Sequence, residues 1–327
     1  MTKASLPTTD WLRSQAMRYA NRALPARPVV WDDTTQFMSI DRDHIIRLQE
    51  VSFLVQCNER ERRFGMVDDQ PKFWVKRAID LDTGMMHILK LVFQEEFRVE
   101  VGTLQVKCVR SAEKEGRVLE LVRGDARFMQ GRTAPDSRGN LVRILDYITG
   151  VDLLNYLQSV RLSHEEYVFT LLPGILSRIR ECCRALQRLH EAGLCHGDIR
   201  NDHLLIERDT GDYKWIDFDL SQEFPDFDIW SLGNILHCVV AKGFVAFSEA
   251  LRIRPELSGK LHADDASVFF PHRVMNLRKV YPYLPAKLNE MLLRFSAGGQ
   301  ACYDQASQIV DDLSDCAASM GWQWGTL

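Results

Sequence analysis

The sequence predicts an α+β protein with a β-rich first part and a helical second part. From about residue 45 to residue 145, short apolar stretches alternate with turn residues, a pattern typical of antiparallel strands. After Gly150, apolar residues recur every three or four positions, which is the period of amphipathic helices. No internal repeat or low-complexity segment is visible in the sequence. We therefore place the boundary between the two parts at residues 146–150.

The elements of the first part follow from their turns and caps. Strands at 73–78 and 86–92 are joined by a turn in which Gly84 suits the positive φ of a tight hairpin. A second hairpin, 97–109, leads to a helix that begins after Ser111, a favourable N-cap, and that carries Glu115 in its first turns. A strand at 141–145 completes the sheet. Residues 1–45, with a short helix at 11–20, are predicted to form an N-terminal extension.

The second part begins with a helix at 151–160. A longer helix follows, whose apolar face comprises Leu172, Ile175, Ile179, Cys183, Leu186 and His190. Next comes a short hairpin, Leu204–Glu207 and 213–216, closed by a polar turn. Further helices are predicted from Asp228, at 287–295 and at 306–318.

Composition limits the classes of function. With 327 residues, 46% of them apolar, the chain can form either several compact units or one large domain with two lobes. The formal net charge of -4 gives no overall attraction to nucleic acid or to an anionic membrane. The longest apolar stretch, 229–247, is interrupted by Asn234, His237 and Lys242, so no membrane span is expected. Eight cysteines without a Cys-x-x-Cys pair, and no apolar signal-like run near residue 1, favour a cytoplasmic location.

Two carboxylates flank the short hairpin of the second part. Asp198 precedes its first strand and Asp217 follows its second strand. Because the two ends of a hairpin lie side by side, both acids are expected at the same end. Such an arrangement suits a metal ion and a proton transfer.

Several motifs, in this order, resemble those of the protein-kinase-like superfamily over roughly residues 46–320. They are the two strands that end in Ile88-Leu89-Lys90, the helix with Glu115, His196-Gly197-Asp198, Ile216-Asp217-Phe218-Asp219 and Asp228-Ile229-Trp230-Ser231-Leu232-Gly233. The resemblance implies a two-lobed protein kinase-like fold forming one domain, with an N-lobe at 46–149 and a C-lobe at 150–327. It also implies ATP and Mg²⁺ as cofactors and a hydroxyl group as phosphoryl acceptor.

The resemblance assigns a role to each site residue. Asp198 would be the catalytic base, and Arg200 would offset charge on the transferred phosphoryl group. Lys90, oriented by Glu115, would hold the ATP phosphates, with Gly65 in the phosphate loop and Asp146, Tyr147 and Ile148 at the adenine. Asp217 would bind Mg²⁺, and His203 stands where a second metal ligand is expected. His196 would have a structural role beneath the loop, and Asp228 would cap its helix and brace that loop. A competing alignment makes Lys107 the nucleotide lysine, although only seven residues would then separate it from Glu115.

The sequence also departs from the family pattern. His203 replaces an asparagine, and imidazole is a poor ligand for Mg²⁺, so a metal role and a plain hydrogen-bonding role both remain open. Gly65 is the only glycine between residues 53 and 73, where Arg62 and Arg63 are alternative phosphate contacts. Asp219 replaces the glycine that follows the metal-binding aspartate.

The segment after Asp217 is short. Only ten residues separate Asp217 from Asp228, too few for an activation loop, and Gly197 removes the arginine that would read a loop phosphate. Three hypotheses follow: a kinase for protein serine or threonine, which the motif count favours; a small-molecule kinase of the aminoglycoside or sugar type; and a pseudokinase that acts as a nucleotide- or partner-binding scaffold.

Overall fold

The computed structural model describes residues 7–61, 70–101, 104–224 and 226–324. Its strands are β1 (Val30–Trp31), β2 (Ile45–Leu48), β3 (Val51–Glu61), β4 (Gln70–Asp80), β5 (Met86–Lys90), β6 (Glu96–Val101), β7 (Leu104–Arg110), β8 (Gly131–Pro135), β9 (Leu141–Asp146), β10 (Gly150–Asp152), β11 (Leu204–Glu207), β12 (Tyr213–Trp215) and β13 (Leu220–Gln222). Its helices are α1 (Thr9–Ala20), α2 (Ala112–Leu121), α3 (Leu153–Ser159), α4 (His164–Thr170), α5 (Leu172–Glu191), α6 (Phe227–Val240), α7 (Phe247–Ile253), α8 (Leu277–Val280), α9 (Ala286–Leu293) and α10 (Ala306–Met320).

The α+β class is confirmed, and the contacts between residues divide the chain into two compact units. The first unit comprises the described residues of Met1–Glu95, Arg110–Asp125 and Met129–Ile148. It contains a seven-stranded sheet in the order β1-β2-β3-β4-β5-β9-β8, which is antiparallel except for the pair β1 and β2. Helix α2 packs on β8 and β9. The side chain of Ser111 accepts a hydrogen bond from the amide of Lys114, so the predicted N-cap of this helix is confirmed.

Residues 7–44 are built into the first unit. Strand β1 adds an edge to the sheet, and Leu12 and Ala16 of α1 share a buried cluster with Ile45, Leu54 and Leu81. The buried carboxylate of Asp136 accepts hydrogen bonds from the amide and the hydroxyl of Thr34, both at 2.7 Å. The predicted extension therefore completes the core of this unit.

Gly84 shows how closely α1 approaches the β4–β5 turn. Its φ is +77°, as the predicted turn requires, and an added Cβ would lie 2.5 Å from Cδ1 of Tyr19. A side chain at this position would meet both unfavourable backbone torsion and a steric clash.

The second unit comprises the described residues of Glu96–Val109, Ala126–Phe128 and Thr149–Leu327. It contains a three-stranded sheet β10-β11-β12 and most of the helices, of which α5 is the longest at 20 residues. Helix α6 is mostly buried and ends at Val240, so it contains the first part of the apolar stretch 229–247 but not its last residues. Within the described ranges, no helix is long and apolar enough to cross a membrane.

The hairpin of β6 and β7, which we call the inserted hairpin, belongs to the second unit. Glu95, which precedes β6, and Arg110, the last residue of β7, belong to the first unit. The sequence predicts this hairpin as part of the N-lobe, residues 46–149. The difference arises because β7 pairs with β13, and because Val106 and Cys108 share a buried cluster with Leu220. A pairing between segments more than 100 residues apart leaves no local signal in the sequence.

Candidate active site

Lys90 and Glu115 form a buried ion pair in the first unit. Lys90 ends β5, and Glu115 lies in the first turn of α2. The Nζ atom of Lys90 donates to Oε1 of Glu115 at 2.8 Å, and the two residues are 6% and 0% exposed. Lys107, the competing candidate, instead pairs with Glu96 at 2.8 Å on a partly exposed surface. Lys90 is therefore the lysine that contacts Glu115.

Arg143 is a third member of this cluster, which the sequence motifs do not predict. It lies directly opposite Lys90 in the pairing of β5 with β9. Its Nε atom donates to Oε2 of Glu115 at 3.1 Å, and its terminal nitrogens donate to the carbonyl oxygens of Leu141 and Leu91. A lone arginine within the apolar run 141–145 was an available signal, because a buried guanidinium requires a partner. Both oxygens of the Glu115 carboxylate are thus engaged by cations.

Asp228 organises the loop that contains His196 and Asp198 in the second unit. Its carboxylate accepts from the amides of His196 at 2.7 Å and Gly197 at 2.8 Å, and it lies 2.9 Å from Nε2 of His190. Burial alone would raise the pKa of Asp228. The hydrogen bond to His190, the charges of His196 and His190, and the Gly197 amide outweigh it, so this pKa lies below its ordinary value of 3.8.

One detail of the predicted role of Asp228 is wrong. The N-cap of α6 is Asp226, and Asp228 lies inside the first turn of the helix. Its side chain accepts hydrogen bonds from two loop amides, which need acceptors because they are buried.

His196 lies beneath the loop. It is fully buried, its ring centroid lies 4.8 Å from that of Phe218 and 5.3 Å from that of Trp215, and its Nδ1 atom is 3.3 Å from the amide nitrogen of Asp198. These contacts agree with the structural role predicted for it.

His203 lies between Asp198 and Asp217. Its Nδ1 atom is 2.8 Å from the carbonyl oxygen of Asp198 and 3.5 Å from a carboxylate oxygen of the same residue. Its Nε2 atom is 3.5 Å from Oδ2 of Asp217. Because a carbonyl oxygen can only accept, Nδ1 carries a proton, and Nε2 is the nitrogen that faces Asp217. The two carboxylates lie at the same end of the β11–β12 hairpin, as predicted.

The carboxylate of Asp217 suits a magnesium ion. Asp217 is 8% exposed and has a φ of +69°, a strained value for a non-glycine residue of the kind found at functional sites. Across the described parts of the chain, no group of three or more His, Cys, Asp or Glu side chains could by itself enclose a metal ion. Mg²⁺ usually keeps several waters and binds one or two carboxylates together with substrate phosphates, so the residues present fit this ion. They do not form a cage for a metal that requires protein ligands alone.

Comparisons with known proteins connect this geometry to a family. No family model matches the chain. The myosin light chain kinase 3 of Danio rerio is 32% identical over 134 residues, which are 32% of this chain and 18% of that protein. The serine/threonine-protein kinase PAK mbt of Drosophila melanogaster is 27% identical over 179 residues, 46% of this chain and 25% of that protein. The death-associated protein kinase dapk-1 of Caenorhabditis elegans is 22% identical over 197 residues, 52% of this chain and 13% of that protein.

These relatives are all named as kinases, and the ordered motifs of this chain include the buried pair of Lys90 and Glu115. In sequence, the chain is similar to protein kinases over about a third to a half of its length. It spans a quarter or less of the length of each of these three relatives. The kinase domain of Mycobacterium tuberculosis PknI is also similar, with a TM-score of 0.47 and 14% identity over 81% of this chain and 96% of that domain.

Arg200 of this kinase-like chain lies against a carboxylate. Its Nε and Nη2 atoms donate to the two carboxylate oxygens of Asp202 at 3.0 and 2.5 Å. Burial opposes ionisation of Asp202, but the charges of His203 and Arg200 together with these hydrogen bonds hold its pKa below 3.8. The role predicted for Arg200, on the transferred phosphoryl group, stays a prediction.

The predicted adenine contacts lie at the end of β9. The carboxylate of Asp146 is 3.6 Å from Nδ1 of His87, and the guanidinium of Arg77 lies 4.9 Å from the ring centroid of Tyr147. The amide of Tyr147 donates to the carbonyl of Met86 at 3.4 Å, and Ile148 is the last residue of the first unit. Nucleotide binding by these three residues stays a prediction. Gly65, Arg62 and Arg63 lie outside the described residues.

Proposed function

We propose that this chain is an ATP-dependent phosphotransferase that moves the γ-phosphoryl group of ATP to a hydroxyl group. The observation that carries this proposal is the buried ion pair of Lys90 and Glu115, at 2.8 Å, in a chain that also brings Asp198 and Asp217 to one hairpin end. An ammonium group oriented by a carboxylate suits the α- and β-phosphates of a nucleotide.

Each side chain has one task in this proposal. Glu115 fixes the ammonium of Lys90, and Arg143 fixes Glu115. Asp198 orients the attacking hydroxyl and accepts its proton, while Asp217 holds Mg²⁺. ATP with Mg²⁺, when bound, supplies the electrophilic phosphorus and neutralises charge on its oxygens. Positioning and electrostatics account for most of the acceleration in such a transfer.

We propose the hydroxyl of a protein serine or threonine as the acceptor, which the kinase names of the relatives support. A small-molecule hydroxyl, of the aminoglycoside or sugar type, is the second candidate. It is supported by the ten-residue segment between Asp217 and Asp228, three residues of which form β13 and pair inside the protein. Such a segment offers little chain for binding a peptide.

A binding module without phosphoryl transfer is the rival from another class. It is supported by His203, whose ring nitrogens lie 3.5 Å from both Asp198 and Asp217. Imidazole is a poor ligand for Mg²⁺, which prefers oxygen, so His203 in this position weakens the case for a second metal ion in the site.

Thermal unfolding with ATP and Mg²⁺ tests nucleotide binding. At a ligand concentration of about 100 times Kd, binding stabilises the native state by about 2.7 kcal/mol, which raises Tm by several degrees. We expect this rise in the unaltered chain and in Asp209→Ala, a control at an exposed aspartate of the β11–β12 turn, but not in Asp217→Ala. Absence of any nucleotide effect would contradict the proposal.

Transfer is then measured with ATP labelled at the γ-phosphate, using dephosphorylated casein and a panel of aminoglycosides and sugars as acceptors. Asp198→Asn should lower the rate by about 10²- to 10⁴-fold, the usual contribution of a general base. Label in casein supports the protein acceptor, and label in a panel compound supports the second candidate. A thermal shift without label in any acceptor supports the binding module.

A further inference from the structure

The segment that follows Asp217-Phe218-Asp219 is held by the inserted hairpin. Strand β13 pairs with β7, in a three-stranded sheet of order β13-β7-β6. Leu220 of β13 is 4% exposed and shares a buried cluster with Val106 and Cys108, against which Phe97 and Phe224 also pack. A three-residue strand has few contacts of its own, so this pairing and this cluster hold it in place.

Gln222, at the end of β13, reaches the loop that contains Asp198. Its side-chain nitrogen donates a hydrogen bond to the carbonyl oxygen of Gly197. That oxygen belongs to the peptide group between Gly197 and Asp198. The N–H of the same peptide group lies 3.3 Å from Nδ1 of His196, so the group is held on both of its sides.

The backbone conformation of Gly197 explains why this contact matters for the position of Asp198. Gly197 has a φ of +84°, in the region that glycine enters most readily, and its own N–H donates to Asp228 at 2.8 Å. Because glycine also has the largest conformational freedom, the peptide that follows it needs an external partner to keep one orientation. Rotation of that peptide would move the Cα atom of Asp198 and, with it, the carboxylate.

We propose that Gln222 is a positioning residue for Asp198, and that the inserted hairpin keeps Gln222 in place through β13. This proposal rests on the proposed function for the role of Asp198, and on the contacts above for the brace itself. The inserted hairpin would then order the short segment after Asp217 through contacts within the protein, without a phosphorylated residue in that segment.

The first test compares Gln222→Met with Gln187→Met. Gln187 is a half-buried glutamine of α5 that donates to Glu191 at 2.8 Å on the surface, so the chemical change is the same while the partner differs. Amide hydrogen exchange, followed by mass spectrometry of peptides covering 195–203, reports on the loop without any need for activity. Loss of one hydrogen bond should speed exchange of these amides by about three- to tenfold in Gln222→Met and leave it unchanged in Gln187→Met. Equal exchange in the two variants would overturn the proposal.

Turnover provides a second readout, measured as ADP release from ATP with Mg²⁺ and water as acceptor. We expect kcat of Gln222→Met to fall by about three- to tenfold, with KM for ATP changed less than about twofold, because Gln222 does not contact the nucleotide in this proposal. A rise in KM with unchanged kcat would overturn the positioning role. If no variant, including the unaltered chain, releases ADP, the proposed function fails while the exchange measurement still decides on the brace.

The link to the hairpin is tested by a double-mutant cycle. Val106→Asp places a charge in the cluster beneath β13 without altering any residue of the loop. We expect it to speed exchange at 195–203 as much as Gln222→Met does, and the double variant to be no faster than either single variant. Should the two effects multiply, the hairpin acts by another route and the second half of the proposal is wrong. Thermal unfolding of Val106→Asp establishes that the variant is folded at the temperature of the exchange measurement.

Discussion

The cluster of Lys90, Glu115 and Arg143 allows a prediction about stability that does not depend on activity. Replacing Glu115 with Gln removes the ionised acceptor of two buried cations, since Glu115 is 0% exposed and Arg143 is 2% exposed. Leaving a buried charge without its partner costs about 3–5 kcal/mol. Replacing Arg143 with Met leaves Lys90 on Glu115 at 2.8 Å and removes the hydrogen bonds of Arg143 to Glu115, Leu141 and Leu91. The charge-assisted bond to Glu115 alone contributes about 1.5–3 kcal/mol.

The double variant distinguishes a coupled cluster from two separate contacts. In the unaltered chain, Glu115→Gln leaves two buried cations, Lys90 and Arg143, without their carboxylate. In the Arg143→Met background it leaves only Lys90 without it. The free-energy cost of the double variant should therefore be about 2 kcal/mol smaller than the sum of the two single costs. Urea unfolding followed by far-ultraviolet circular dichroism measures these free energies.

Arg123→Met is the matched control, because Arg123 pairs with Glu120 at 2.7 Å on an exposed surface just after α2. Such exposed pairs contribute little, and we expect no measurable change. Additive costs in the double variant, or an Arg143→Met variant as stable as the control, would refute the coupling.

Two further predictions concern the two units separately. Gly84→Ala should destabilise the first unit more than Gly139→Ala does. Both glycines have positive φ, so the backbone cost is shared. A Cβ at Gly84 would lie 2.5 Å from Tyr19, whereas a Cβ at Gly139 would have no atom within 4 Å. The difference in urea unfolding free energy should be about 1–3 kcal/mol and should disappear in a Tyr19→Ala background; persistence there would exclude the clash as its cause. In the second unit, the pKa of His237 is lowered from 6.5 to about 3, mainly by burial and then by the charge of Arg273. Below pH 6.5 the unfolded chain therefore binds a proton at His237 that the native chain does not bind. Stability contributed by neutral His237 is therefore complete above pH 6.5 and is lost as pH falls toward 3, by about 1.4 kcal/mol per pH unit at most. His237→Gln should flatten this part of the curve of unfolding free energy against pH, and an unchanged slope between pH 6 and 4 would show that another group is responsible.

The sequence by itself determined the features that rest on short-range signals. Ser111 was recognisable as a cap because a helix needs side-chain acceptors at its start, and the β4–β5 hairpin because Gly84 tolerates a positive φ. The proximity of Asp198 and Asp217 followed from the geometry of one hairpin. The motif predicts Lys90 as the partner of Glu115, and the two residues form an ion pair, whereas Lys107 pairs with Glu96.

Only the tertiary structure decided which distant segments meet. Arg143 reaches Glu115 across a strand pairing, and Gln222 reaches Gly197 from a strand whose partner, β7, lies more than 100 residues earlier in the chain. The inserted hairpin reads locally as an ordinary β-hairpin, and nothing in its own residues reveals that β13 is its third strand. Periodicity and turn chemistry report the conformation of a segment but not its neighbours, because burial and charge complementarity are satisfied only when the whole chain has packed. The residues that hold the candidate site in place therefore became visible only once these contacts were formed.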